Sequence, residues 1–143
     1  MPVITDIADA VTAELNGLDP QSPLAAVRST KAPEFELADM KTLRVTVVPR
    51  GWDSQTATRA AAQCDYQIDI GVQKKLAAGD NPEIDGLLGL VERIADHFRT
   101  HRLTAMPSAV WVGCENSPLY SPEHMKELRQ FTGVLTLTFR VLR

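Results

Sequence analysis

Residues 65–74, Asp-Tyr-Gln-Ile-Asp-Ile-Gly-Val-Gln-Lys, constrain this chain more than any other stretch. Tyr66, Ile68, Ile70 and Val72 fall on one side of an extended chain, and Gln67, Asp69, Gly71 and Gln73 on the other. That period of two belongs to a strand covered on one face only. A polar link leads from it to Asn81, where the longest helical pattern of the chain begins. The strand is therefore expected to be central, with its apolar side against that helix.

The remaining elements are placed around this pair. Ile4, Ile7, Ala8, Val11 and Leu15 follow helical spacing, which predicts an amphipathic helix over 2–16 that starts at Pro2 and is closed by a left-handed Gly17. Residues 18–40 hold Pro20, Pro23 and Pro33 and read as a traversing segment, with 24–29 extended and Phe35 and Leu37 either on a short edge strand or tacked onto the core. Leu43, Val45 and Val47 alternate with Arg44 and Thr46 as a strand that Pro49 is expected to end. Residues 50–63 then form a long connection, too long for a tight hairpin, between two antiparallel neighbours.

Asn81, Pro82 and Glu83 mark the start of the core helix, expected over 81–102. Its apolar stripe is Ile84, Leu87, Leu88, Val91, Ile94, Ala95 and Phe98, and Arg99, His101 and Arg102 suit its carbonyl end. Gly86 and Gly89 within it suggest close backbone approach to the sheet. Residues 109–112, Ala-Val-Trp-Val, read as a short buried strand, and 122–128 as a brief helix. Residues 131–143 alternate as a long last strand that projects beyond the sheet or bends, with a bulge at Gly133. The order implies a single α+β domain over 1–143: two layers, a mainly antiparallel sheet with two main helices on one face and a long inter-strand loop.

Composition narrows function by exclusion. The 143 residues carry a formal net charge of −3, without the basic excess of a dedicated nucleic-acid binder. Residues 1–40 hold seven carboxylates against two basic side chains, and residues 41–75 six basic side chains against three carboxylates. Opposite surfaces of this kind suit contact between neighbouring copies, although mixed solvated surfaces give the same counts. Cys64 and Cys114, two isolated cysteines without metal-ligand spacing, point to reduced thiols and a cytoplasmic site of synthesis. No signal peptide or bilayer-length apolar run is apparent, so no membrane association is expected.

No constellation for chemistry assembles. His97 and His101 stand four apart, but the intervening Phe-Arg-Thr lacks the glutamate of a zinc-protease helix and no third ligand is evident. Cys114, Glu115 and His124 lack the spacing of a nucleophile and base, and Cys114 reads as a small buried side chain. Gly-Trp-Asp at 51–53 and Gly-Leu-Leu-Gly at 86–89 lack the lysine and hydroxyl of a phosphate loop. Asp65 and Asp69 are expected to hydrate the polar face of the central strand. Trp52, a large aromatic in a polar loop, fits either core tacking or a partner contact. No catalytic, cofactor or metal residue is assigned.

Val-Thr-Val-Val-Pro-Arg-Gly at 45–51, the polar loop, the stretch 65–75 and Phe-Thr-Gly-Val-Leu-Thr-Leu-Thr-Phe-Arg-Val at 131–141 together resemble the small neck proteins of tailed bacteriophages. The resemblance is to the tail terminator and tail-completion group. It implies a virion structural protein, not an enzyme, that is assembled in the host cytoplasm as a six-membered homo-oligomeric ring. Such a ring caps the tail tube, joins it to the head connector and passes genomic DNA without reading its sequence. On this reading the loop over 50–63 and the last strand are arms, and the candidate interface or arm residues are Arg50, Trp52, Asp53, Arg59, Lys74, Lys75, Arg140 and Arg143. The rival readings are another neck, head-completion or tail-tube subunit, and a small cytoplasmic enzyme or binding domain.

Overall fold

A computed structural model describes residues 2–18, 26–29, 43–77, 79–99 and 102–143. In chain order they form helix α1 (Val3–Asn16), strands β1 (Val27–Arg28), β2 (Arg44–Thr56) and β3 (Ala62–Lys75), helix α2 (Asn81–Phe98), and strands β4 (Arg102–Leu103), β5 (Met106–Glu115) and β6 (Gln130–Leu142). The strands make one sheet in the order β1-β2-β3-β6-β5-β4, in which β1 and β2 are parallel and every other neighbouring pair is antiparallel. This is the expected α+β architecture, with β3 in its interior.

One face of the sheet is apolar because the register aligns the alternating residues of three strands. Ile70 of β3 stands between Val47 of β2 and Leu135 of β6, and Val45, Ile68, Val72, Leu137 and Phe139 continue the same face. Ile7, Val11 and Leu15 of α1 and Leu87, Leu90, Val91, Ile94 and Phe98 of α2 are buried in the same cluster. Phe98 meets Phe139 edge-on with ring centroids 6.4 Å apart. His97 Nε2 lies 2.9 Å from Glu14 Oε2 and ties the helices together on that side.

The helix ends differ in detail from expectation. Gly17 closes α1 at φ −93°, ψ −1°, in the right-handed region, and its N–H bonds back to the Ala13 and Glu14 carbonyls. α2 is capped by Asp80, whose Oδ1 accepts from the Glu83 N–H at 3.2 Å. It ends at Phe98, not at Arg102, because Arg99 leaves helical geometry and the chain then enters β4, where Leu103 is fully buried. Arg102 is thus a strand residue. Gly86 and Gly89 do not approach the sheet: an added Cβ would meet nothing within 4 Å at either.

Three strand expectations are also corrected. Pro49 does not end β2. It lies beside a bulge between Pro49 and Gly51, beyond the last residue paired with β1, so its missing N–H breaks no ladder among the described residues. Residues 109–112 are not a buried strand: they belong to the longer β5, in which Val110 and Val112 are exposed and only Ala109 is buried. β6 does not project, because β3 pairs with it from Gln130 to Leu142, and its Gly133 sits in regular register opposite Val72. The bulge beside β6 lies on β5 between Trp111 and Gly113, opposite Phe139 and Thr138.

Pro20, Pro23, Pro33, Phe35, Leu37 and His101 lie outside the described residues, as do residues 24 and 25; the rest of the stretch expected to be extended, 26–29, holds β1. The expected brief helix is a π-helical turn, His124–Leu128.

Candidate assembly surface

The long loop expected over 50–63 is mostly strand. β2 continues to Thr56 and β3 begins at Ala62, so a hairpin arm carries the sheet outward, closed by residues 57–61. Its sequence hides this because an exposed arm needs no apolar alternation: residues 52–60 are all exposed. Extended structure is held instead by β6, whose Thr138–Leu142 pair with 67–63 along the other edge of β3. The C-terminal Arg143 finishes the ladder, exchanging backbone hydrogen bonds with Ala62 at 2.9 and 2.7 Å.

Specific side-chain pairs reinforce the arm. Trp52 is 59% exposed and stacks on Tyr66 across the ladder, centroids 6.0 Å apart at 29°. On the opposite face Asp53 and Asp65 stand side by side, a repulsive pairing that Arg140 offsets by donating to both Asp65 oxygens at 2.8 and 3.1 Å. The hydrogen bond to Asp65 raises the Arg140 pKa above its ordinary value; desolvation opposes it, and attraction from Asp65 and Asp53 adds to it. Arg143 is raised likewise by its hydrogen bond to the Tyr66 hydroxyl at 3.3 Å. Both guanidiniums stay charged. Arg50 donates to Thr136 Oγ1 at 3.3 Å and stands 3.8 Å from Asp69, which accepts from the Thr136 hydroxyl at 2.7 Å.

Of the sequence candidates, Arg50, Trp52, Asp53, Arg59, Arg140 and Arg143 therefore gather on the arm. Lys74 and Lys75 do not, since they close the other end of β3, about 40 Å away at some 3.3 Å per residue. Lys74 Nζ lies 3.8 Å from Glu83, whose carboxylate also accepts from the Ala77 and Gly79 N–H groups at 2.7 and 3.1 Å. That lysine fastens the strand end to the start of α2. Asp65 and Asp69, expected only to hydrate a polar face, are arginine partners. Gln73 on that face is buried, and its Oε1 has no hydrogen-bond partner among the described residues.

A second surface was not singled out by the sequence. Beside α1 two open hollows of about 400 and 370 Å³ share Ala10 and Ala105 and run together as one trough. Asp6, Asp9 and Met106 bound the first, and Ala13, Glu14 and His97 the second. Asp9 pairs with Arg28 at 3.0 Å, and Glu14 also accepts from the Thr104 N–H at 2.8 Å. Asp6 has no side-chain partner among the described residues. The signal in sequence was the spacing of these acids along one helix that has no lysine or arginine.

The remaining candidates stay apart. Cys114 is exposed on β5, not buried as expected, in the part of that strand beyond Val110 that β4 does not pair. It stands opposite Leu137, while His124 Nδ1 is 2.9 Å from Thr132 Oγ1. Among the described residues no group of three or more His, Cys, Asp or Glu is placed to hold a metal ion, and no helix is long and apolar enough to cross a membrane.

The sequence matches no known protein family and no characterised protein. The structure is similar to a cryo-EM structure of an extracellular contractile injection system, the PVC sheath/tube terminator in its extended state, with 16% identity and a TM-score of 0.47. The match covers 98% of this chain and 56% of that one, so the chain spans little more than half of that protein's length.

Proposed function

We propose that the chain is a structural, non-catalytic subunit of a tail-like assembly, a terminator that forms a ring on the end of the tube and joins it to the neighbouring neck component. The observation that carries this reading is the arm, an ordered hairpin whose residues 52–60 are exposed and present Trp52 and Arg59 to solvent, while Cys64 and Tyr66 of its β3 half root it in the core. An exposed strand and tip rooted in this way suit contact with another subunit. The sequence resemblance to phage tail terminators supplies the ring, the six copies, the place in a virion neck and the passage of DNA through the centre. The separation of Cys114 from His124 favours assembly over hydrolysis.

Electron microscopy of the purified protein, alone and mixed with tail tubes, tests the reading. Single rings that cap tube ends are expected. Indefinitely long tubes made of this protein would assign it to the tube instead, and a monomer that never binds tubes would overturn the assignment.

A further inference from the structure

We propose that the tip of the arm of one copy seats in the acidic trough beside α1 of the next copy. This rests on the ring reading above and specifies the contact that builds the ring. Each half of the contact has the chemistry the other lacks. The trough is lined by the small side chains of Ala10, Ala13 and Ala105 and by the carboxylates of Asp6 and Asp9, with Glu14 turned to His97 and the Thr104 N–H. Of the three acids of α1, Asp9 pairs with Arg28 and Glu14 with His97 and the Thr104 N–H, which leaves Asp6 to receive a cation. The tip, residues 57–61, is Ala-Thr-Arg-Ala-Ala, so three alanines surround one cation, Arg59. Arg59 has no ion-pair partner among the described residues, and neither does Asp6.

The tip is also ordered before any contact is made. The N–H groups of Ala57 and Thr58 both bond to the Ala61 carbonyl, at 3.2 and 3.0 Å. Thr58 Oγ1 accepts from the N–H groups of Ala60 and Ala61 at 3.3 and 3.1 Å. A turn closed in this way loses little conformational freedom on docking. The arm does not reach its own trough. Asp9 is held by Arg28, which pairs in register with Val47, and Ala57 lies ten residues further along β2, about 30 Å at some 3.3 Å per residue. The donor must be a second copy, and a surface that meets a different surface of its neighbour propagates head to tail, into a ring where the rotation between copies closes.

A charge exchange tests the contact. Arg59→Glu and Asp6→Arg, each alone, are expected to weaken self-association by about tenfold or more in sedimentation, and the two together in one chain to restore it. In a Cys114→Ser background, Arg59→Cys with Asp6→Cys is expected to give a disulfide-linked ladder of copies on oxidation. Single variants that assemble like the parent, a double variant no better than the singles, or the absence of a ladder would overturn the contact. Rings that still form and cap tubes in all these variants would overturn it while leaving the terminator reading intact. A parent protein that forms no ring would overturn both.

Discussion

Arg140 grips Asp65 through two parallel hydrogen bonds, at 2.8 and 3.1 Å, at the point where β2 sets Asp53 directly beside the same carboxylate. Without the guanidinium two carboxylates face each other across the ladder with no cation between them and β6. Arg140→Ala is therefore expected to loosen the arm alone. Hydrogen exchange should speed up at residues 63–66 and remain slow at Ile68, Ile70 and Val72. Uniform acceleration across β3 would contradict a local role.

Phe98 is fully buried and sets its ring edge-on against Phe139, joining α2 to the centre of the sheet. Phe98→Ala should cost about 3–5 kcal/mol, from lost transfer energy and the cavity left behind. That is a large share of the 5–15 kcal/mol or so that holds a domain together. A denaturation midpoint barely moved from the parent's would show that the helix is held elsewhere.

Three glycines separate two effects. Gly86 and Gly89 lie in α2 with open space where a Cβ would stand, so alanine at either should stabilise by up to about 1 kcal/mol through helix propensity alone. Gly133 is different. A Cβ there would meet the Phe131 ring at 3.1 Å and the Leu119 carbonyl at 3.2 Å, and Gly133→Ala should destabilise. Thermal melts of the three variants decide the matter, and a common sign would refute it.

Trp52 touches Tyr66 but leaves 59% of its surface in solvent. Trp52→Ala should shift the melting temperature of the isolated subunit by only a few degrees, and reduce ring or tube association strongly if the arm is a contact surface. A large fall in melting temperature would make the residue part of the core instead.

What was legible in the sequence followed burial. The Tyr66–Val72 alternation and the stripe from Ile84 to Phe98 declared β3 and α2 because one side of each faces a dry interior. The arm was misread for the same reason in reverse, since its strand pairing depends on backbone register with β6 and on polar pairs distant in sequence, such as Arg140 with Asp65. The short run at 109–112 misled in the other direction: apolar side chains implied burial, but Val110 stands beside Arg140 and Arg102 on the outer face of the sheet. The trough beside α1 joins acids on one helix to Ala105 and Met106, a proximity no local pattern announces.

The position of β6 bears on how the molecule is made. It follows every other element along the chain yet occupies the interior of the sheet, between β3 and β5. Until residue 142 is available, β3 carries fourteen residues with one edge of backbone groups unmatched and an apolar side incompletely roofed. A nascent or truncated chain therefore passes through a state with the features of an aggregation template, and its release depends on a pairing of high sequence separation. Yield in the cell should depend on how fast that last strand arrives, and a chaperone that shields β3 in the interval would serve this protein better than one that shields its helices.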